Sequence, residues 1–129
     1  MKFTIKLPPV TKKNHGQIVW RGNRPIMLPS KPYLNYERDA KWFMPKVKTI
    51  DYPVNIKCIY YMPTRRKVDL SNLLNATLDI LVHYGILLDD NRNIVYSVDG
   101  SRVYYDKENS RTEIEITRIK GDVELWAKK

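Results

Sequence analysis

The amino-acid sequence predicts an α+β domain in which a mixed β-sheet is packed by two helices. Stretches that alternate polar and apolar residues, or are rich in Val, Ile and Tyr, occur near the start, in the middle and near the end of the chain. Two stretches with helical periodicity lie between them, and strands and helices do not alternate regularly. A chain of 129 residues predicts one domain, residues 1–129, of which about 120–129 form a loosely held tail.

The N-terminal part of the chain begins with a predicted strand. Residues 2–7 alternate polar and apolar side chains, and Pro8-Pro9 stops the strand because proline cannot donate to a sheet. After a polar loop, residues 17–20 and 25–28 flank an Arg-Gly-Asn-Arg sequence. This arrangement predicts a β-hairpin.

The centre of the chain predicts the two helices with a strand between them. Ser30 is a good N-cap for the first helix, which has a proline in its first turn and runs to about Met44. Residues 53–62 are rich in Val, Ile and Tyr and predict the strongest strand. Residues 69–84 form the second helix, which Gly85 closes from the C-cap position.

The C-terminal part predicts further strands. Residues 94–105 read as a strand interrupted at Asp99-Gly100-Ser101. Residues 111–119 alternate, so Ile114 and Ile116 are expected to point into the core.

The charge of the chain indicates a polyanionic partner. Lys and Arg outnumber Asp and Glu by 23 to 14, which gives a net charge of +9 and a pI near 9.7. A small domain this basic is attracted to nucleic acid. A membrane surface is disfavoured, because no predicted helix is basic on one face and richly apolar on the other. The alternative is a protein that is basic without a polyanionic partner.

The single cysteine and the N-terminus bear on the compartment. Cys58 has no partner for an internal disulfide and is expected to be a buried, inert thiol. The first ten residues do not resemble a signal peptide, and no apolar run approaches membrane-spanning length. These features predict an intracellular, cytoplasmic protein.

One stretch combines cations with carboxylates. Arg65, Arg66 and Lys67 lead into Asp69 at the start of the second helix, and Asp89-Asp90 follow that helix. Cations can hold phosphates, and carboxylates can hold a hard metal ion. Together they are what a metal-dependent nuclease needs.

Each part of this stretch also has a plain structural interpretation. Asp69 is a good N-cap, which Asn72 can support in a box-like arrangement. Asp89-Asp90 suits a turn, and the three cations suit a solvated loop. Asp79 lies on the polar stripe of the helix, where it can orient water at the site or be a surface carboxylate. The other members of that stripe are Ser71, Asn72, Asn75 and His83.

The order of these residues resembles the RusA family of Holliday junction resolvases. The resemblance is carried by residues 62–73, by Asp79, by residues 85–90 and by the N-terminal residues 7–14. Residues 99–102 also resemble a recurrent piece of the phage branch. The likeness extends from about residue 1 to 119.

The resemblance implies a metal-dependent endodeoxyribonuclease, of a kind common in prophages, that cleaves branched DNA in recombination and repair as a homodimer. It implies that Asp69, Asp90 and Asp89 are catalytic and bind Mg²⁺, for which Mn²⁺ can substitute. The DNA-binding residues would be Arg65, Arg66, Lys67, Lys12, Lys13 and Asn14. Supporting residues would be Ser71, Asn72, Asn75 and Asp79.

The chain departs from the family pattern at two positions. The family often has a second acid two residues after the first, where this chain has Ser71. It often has a lysine six residues after the first acid, where this chain has Asn75. These departures leave open an alternative, a catalytically weak or inactive protein that binds junctions or other DNA.

Overall fold

The computed structural model describes residues 1–12 and 17–120. Within them an α+β architecture is present, as the sequence predicts. The predicted roles of Lys13 and Asn14, and most of the predicted tail, fall outside the described residues. The elements are β1 (Lys2–Ile5), β2 (Gln17–Arg21), β3 (Arg24–Leu28), α1 (Lys31–Ala40), a 3₁₀ turn (Lys41–Phe43), β4 (Val54–Met62), α2 (Leu70–His83), β5 (Val95–Ser97), β6 (Arg102–Tyr105) and β7 (Arg111–Arg118).

The main sheet is mixed. β1 pairs antiparallel with β7, and β7 pairs antiparallel with β4. The other edge of β4 is shared by two parallel neighbours, β5 near its start and β6 near its end. The stretch predicted as one interrupted strand is therefore two short strands, because the chain turns at Gly100, where φ is +87°.

The hairpin β2–β3 forms a separate two-stranded sheet. Its turn lies at Gly22-Asn23, and Gly22 has a φ of +62°. Such positive φ angles are what two-residue hairpin turns demand and what glycine permits. The predicted hairpin is confirmed, with each strand one residue longer than expected.

The core lies between one face of the main sheet and the two helices. Alternate residues of β4 and β7 are buried, and Cys58 among them is fully buried, so burial raises the pKa of its thiol to about 11. Tyr60 reaches across to α2, where its hydroxyl lies 2.7 Å from Oγ1 of Thr77. The expected inert thiol and the inward Ile114 and Ile116 are confirmed.

Both helices begin and end as their sequences predict, with one difference. Ser30 caps α1, since its Oγ accepts a hydrogen bond from the Tyr33 amide at 3.3 Å. The predicted last turn of this helix is a 3₁₀ turn instead of α-helix. At the end of α2, Gly85 has a φ of +73°, and the Gly85 and Ile86 amides donate to the carbonyls of Val82 and Leu81. This is a Schellman closure, which satisfies carbonyls that the helix leaves free.

Candidate active site

Asp69 lies at the N-cap position of α2, but its carboxylate does not cap the helix. Its backbone has extended dihedrals, and its carbonyl oxygen accepts the amides of Asn72 at 3.1 Å and Leu73 at 3.2 Å. No backbone amide of the helix donates to its side chain. The side-chain amide of Asn72 makes a long contact of 3.4 Å with Oδ2. The capping interpretation therefore holds for the backbone of Asp69 and leaves its exposed carboxylate available.

The cations before Asp69 begin at Arg65, three residues after the end of β4. The guanidinium of Arg65 lies 4.1 Å from the ring centroid of Tyr105, the last residue of β6. Tyr105 is the parallel-sheet partner of Met62, the last residue of β4. A cation over an aromatic face is attracted by the ring quadrupole, so this contact holds the start of the basic segment at the sheet edge. Arg66 and Lys67 are exposed.

Asp89 and Asp90 are positioned by the segment that leaves α2. Leu87 forms an isolated parallel bridge with Ile50, and the Leu88 amide donates to the Ile50 carbonyl at 3.0 Å. Two exposed aspartates follow this fixed point immediately. The loop therefore starts from a rigid attachment to the core.

Asp89 takes part in the turn itself. Its Oδ1 accepts the Asp90 amide at 2.7 Å, and its Oδ2 accepts the side-chain amide of Asn91 at 3.1 Å. The Asn91 side chain then accepts the Asn93 amide at 2.9 Å. The bond between Asn91 and Asn93 has the spacing of an Asx-turn, and both oxygens of Asp89 are bonded within this loop, so the turn interpretation of Asp89 is correct.

Asp90 has an electrostatically unfavourable environment. Partial desolvation, a hydrogen bond with Asp89 and repulsion from the carboxylates of Asp89 and Asp79 raise the pKa of the Asp90 carboxyl. Negative charge is therefore concentrated here, and a cation would relieve it.

Asp79 supplies part of that charge from the polar stripe of α2. It is paired with Lys12, whose Nζ donates to Oδ2 at 3.1 Å. Lys12 also lies 5.7 Å from the ring centroid of Tyr33, the buried tyrosine in the first turn of α1. The structure thus brings Lys12, Asp79 and Asp90 to one region. Ser71 and Asn75 are exposed on the same helix.

Tyr33 was not among the residues predicted for this region. Burial, and after it the charges of Glu37 and Asp79, raise the pKa of its hydroxyl. Its position in a capped helix start was predictable, but nothing in the pattern indicated its proximity to an acid 46 positions later in α2.

The donor types fit a hard divalent cation, because carboxylate oxygens are what Mg²⁺ prefers. Within residues 1–12 and 17–120, however, no three His, Cys, Asp or Glu side chains come together as a metal-binding group. Mg²⁺ commonly keeps several waters and uses one or two carboxylates with substrate phosphates. A ligand set completed by DNA suits this arrangement. The predicted ligands Asp69, Asp89 and Asp90 remain a prediction.

One depression of the described surface lies elsewhere. It has a volume of about 400 Å³ and lies on the sheet face opposite the helices. It is lined by Lys2, Phe3, Thr4, Lys57, Ile59, Glu113, Ile114 and Glu115. None of the predicted site residues lines it.

Residues 99–102, part of the resemblance, have a structural role here. The side chain of Asn55 in β4 accepts the Asp99 amide at 2.8 Å and donates to its carbonyl at 3.2 Å. The Ser101 hydroxyl accepts the Cys58 amide at 3.0 Å, between the parts of β4 that pair with β5 and β6. The segment therefore completes hydrogen bonding along the parallel edge of β4.

A basic α+β domain in which Asp79 pairs with Lys12, and Asp69 follows three exposed cations, has the features of the class of proteins that bind a polyanion. The family model described as "Endodeoxyribonuclease RusA" matches residues 6–117. The chain therefore belongs to the RusA family of endodeoxyribonucleases.

Two relatives support this assignment. The chain is 28% identical over 92 residues to "Crossover junction endodeoxyribonuclease RusA" of Aquifex aeolicus (strain VF5), a match that covers 69% of this chain and 70% of that protein. It is 37% identical over 67 residues to "Crossover junction endodeoxyribonuclease rusA" of Enterobacteria phage 82. The second match covers 52% of this chain and spans about half, 53%, of the phage protein. Since both relatives are named as nucleases, the binding-only alternative is not favoured.

No helix among the described residues is long and apolar enough to cross a bilayer.

Proposed function

We propose that this protein is an endodeoxyribonuclease that hydrolyses phosphodiester bonds in branched DNA, with Holliday junctions as its substrate in recombination and repair. Membership of the RusA family and the names of both relatives support the proposal. The net charge of +9 supports a polyanionic substrate.

The observation that carries the proposal is the state of Asp69. Its backbone begins α2, while its carboxylate stays exposed and accepts no backbone amide of the helix. A carboxylate needed only for capping would accept those amides. A carboxylate that follows three cations, on a fixed backbone and with only a long contact from Asn72, suits a group that works on a phosphate.

We infer that cleavage depends on Mg²⁺, with Mn²⁺ as a substitute, and that Asp69 and Asp90 would hold the ion. When bound, the ion would polarise the scissile phosphate and activate the attacking water. Asp89 contributes by fixing the loop that carries Asp90. Asp79 adds negative charge to the region and holds Lys12 beside it.

The cations would place the DNA. Arg66 and Lys67 extend into solvent next to Asp69, and Arg65 anchors the segment on Tyr105. Contacts to phosphates set the register of a protein on DNA, and arginine suits them because its fork is bidentate. Lys12, paired with Asp79 on the polar stripe of α2, would contact a phosphate from there.

We propose a homodimer for a geometric reason. A four-way junction cut symmetrically needs two equivalent sites, and a two-fold dimer supplies them.

The test is incubation with a synthetic four-way junction, with and without Mg²⁺, followed by denaturing gel electrophoresis. Paired nicks in opposite strands, abolished by a chelator, are expected. A matched linear duplex is the control substrate. Binding of the junction without any cleavage, in Mg²⁺ and in Mn²⁺, would contradict the proposal.

A further inference from the structure

The hairpin β2–β3 has apolar side chains on both faces. Val19, Ile26 and Leu28 alternate along one face and are half-buried. On the other face Ile18 is opposite Met27, and Trp20 is opposite Pro25.

This outer face is strongly exposed. The exposed fractions are 63% for Ile18, 66% for Trp20 and 67% for Met27. Two aliphatic side chains and an indole exposed side by side are costly in water, and contiguous apolar patches usually mark binding surfaces. A two-stranded sheet is also only marginally stable by itself. We therefore expect a binding partner to cover the outer face of the hairpin.

The charges of the hairpin indicate the chemistry of the partner that binds it. Arg21 and Arg24 are opposite each other at the tip, and Arg21 is next to Trp20 in the chain. The register places both arginines on the face of Val19 and Ile26, so they flank the indole from the other side of the hairpin. Neither forms an ion pair with any residue in the described ranges. Residues 17–28 include no Asp or Glu. A second copy packed hairpin to hairpin would therefore supply no carboxylate for these arginines.

Nucleic acid meets both requirements. Bases offer apolar faces on which an indole stacks, while the backbone offers phosphates to arginines. Ile, Met and Pro are also among the side chains that proteins press against opened base steps. Such surfaces are accessible where base stacking is interrupted, as at the branch point of a junction.

The base of the hairpin lies near the candidate active site along the chain. The side-chain amide of Gln17 donates to the Pro29 carbonyl at 3.1 Å, and Ser30 then caps α1. Tyr33 in the first turn of α1 lies beneath Lys12. A five-residue strand extends about 15 Å. The tip of the hairpin therefore lies several DNA base-pair steps away from Gln17 and Pro29.

We propose that the hairpin β2–β3 is a second DNA-contacting element, in which Trp20 stacks on a base exposed at the branch point and Arg21 and Arg24, from the other face of the tip, bind the adjoining phosphates. This inference rests on the proposed function for its substrate. It assigns the hairpin to binding and selection of branched DNA, and assigns it no part in bond cleavage.

The first test is binding of a four-way junction in chelator, with Trp20→Ala compared with Trp42→Ala. Trp42 is the matched control, because it lies in the 3₁₀ turn and is 79% exposed. Loss of one base stack predicts affinity weaker by about 5- to 150-fold for Trp20→Ala. Trp42→Ala should bind within about twofold of the natural protein, and a linear duplex should respond less than the junction to Trp20→Ala.

The second test keeps Trp20 and measures its fluorescence, which reports on the environment of the indole. In a Trp42→Phe, Trp126→Phe variant, Trp20 is the one indole left, and the junction should quench its fluorescence. A Trp20→Phe, Trp126→Phe variant reports Trp42 and should not be quenched. Unquenched Trp20 together with unchanged affinity of Trp20→Ala would overturn the proposal. So would a Trp20→Ala protein that loses self-association in the absence of DNA, because that result assigns the hairpin to a second copy.

The two proposals fail in distinguishable ways. If the natural protein binds the junction, quenches Trp20 and never cleaves, the proposed nuclease activity fails and the hairpin assignment stands. If it cleaves with Mg²⁺ and Trp20 is unaffected by the junction, the hairpin assignment alone fails.

Discussion

The Nζ of Lys12 lies 3.1 Å from Oδ2 of Asp79, although the two residues are 67 positions apart. This ion pair joins the loop after β1 to the polar stripe of α2, beside Asp90. Both side chains are partly exposed, so the pair contributes little to stability, about 0–1 kcal/mol. Its effect is local, on the charge near Asp90.

The pKa of Asp90 should therefore respond to both partners. Asp79→Asn removes one source of repulsion and should lower the pKa of the Asp90 carboxyl, while Lys12→Met leaves Asp79 unneutralised and should raise it. Carboxyl titration by NMR measures both. Glu115→Gln, which breaks the exposed ion pair with Lys2, is the control and should change nothing at Asp90. Identical Asp90 titrations in all variants would show that the three groups are not coupled.

Asp69 should matter for cleavage and hardly for folding. Since its backbone carbonyl makes the cap, Asp69→Ala should lower the free energy of unfolding by less than about 0.5 kcal/mol, compared with about 1 kcal/mol for a lost side-chain cap. Ser30→Ala removes such a cap from α1 and is the matched control. Urea denaturation compares the two.

Asp69→Asn should abolish junction cleavage and leave junction binding intact or tighter. A fully active Asp69→Asn protein would restore the capping interpretation.

The ionised Asp90 carboxylate should lower the free energy of unfolding while being required for cleavage. A carboxyl with a raised pKa binds its proton more tightly in the folded than in the unfolded protein. Its ionisation therefore lowers stability, and the loss develops as pH rises from the usual value of 3.8 through the raised one. Asp90→Asn should accordingly be more stable than the natural protein at pH 7, equal to it well below pH 3.8, and inactive. Urea denaturation at both pH values provides the check, and a destabilised variant at pH 7 would refute it.

The basic segment should set the salt dependence of binding. With 6–10 phosphate contacts, affinity for branched DNA should fall by roughly 10³- to 10⁵-fold between about 50 and 200 mM salt. Replacing Arg65 and Arg66 by Ala should reduce the slope of log affinity against log salt by about one for each lost phosphate contact. Lys46→Ala with Lys48→Ala removes the same charge from exposed positions before β4 and is the control. Equal slopes for both double variants would mean that only net charge matters.

The two departures from the family pattern should limit metal binding. Ser71 is exposed in the first turn of α2, where a carboxylate is also favoured by the helix dipole. Ser71→Asp should therefore fold normally and bind Mg²⁺ or Mn²⁺ more tightly, as calorimetry would show. Combined with Asn75→Lys, one helical turn before Asp79, it should cleave junctions faster at low Mg²⁺. If the double variant is equal or slower at every Mg²⁺ concentration, the site is not centred on the start of α2.

Local signals accounted for the elements of this fold. The periodicity of α2, the Ser30 cap, the glycine at position 85 and the turn at Gly22-Asn23 each act within a few residues, so the sequence pattern indicates them directly. The parallel pairing of β4 with β6 depends on where the chain that leaves β4 comes back to the sheet. Nothing in residues 102–105 specifies that partner, and the same holds for the stacking of Arg65 on Tyr105.

The candidate site was predictable only in part, for the same reason. Asp69 was indicated by its place at a helix start after three cations, and Asp90 by the resemblance of residues 85–90 to the RusA family. The proximity of Lys12 and Tyr33 to Asp79 is a product of three elements packing together. Side chains that meet only through packing leave no spacing in the sequence that would indicate their contact.

The backbone-only cap at Asp69 has an evolutionary consequence. Because the two hydrogen bonds to its carbonyl would form with many other residues at this position, folding exerts almost no selection for aspartate there. A descendant gene could replace it and still encode a stable protein, so loss of activity would not be exposed by misfolding or degradation. Within a lineage, persistence of an acid at this position would thus record selection on the chemistry alone.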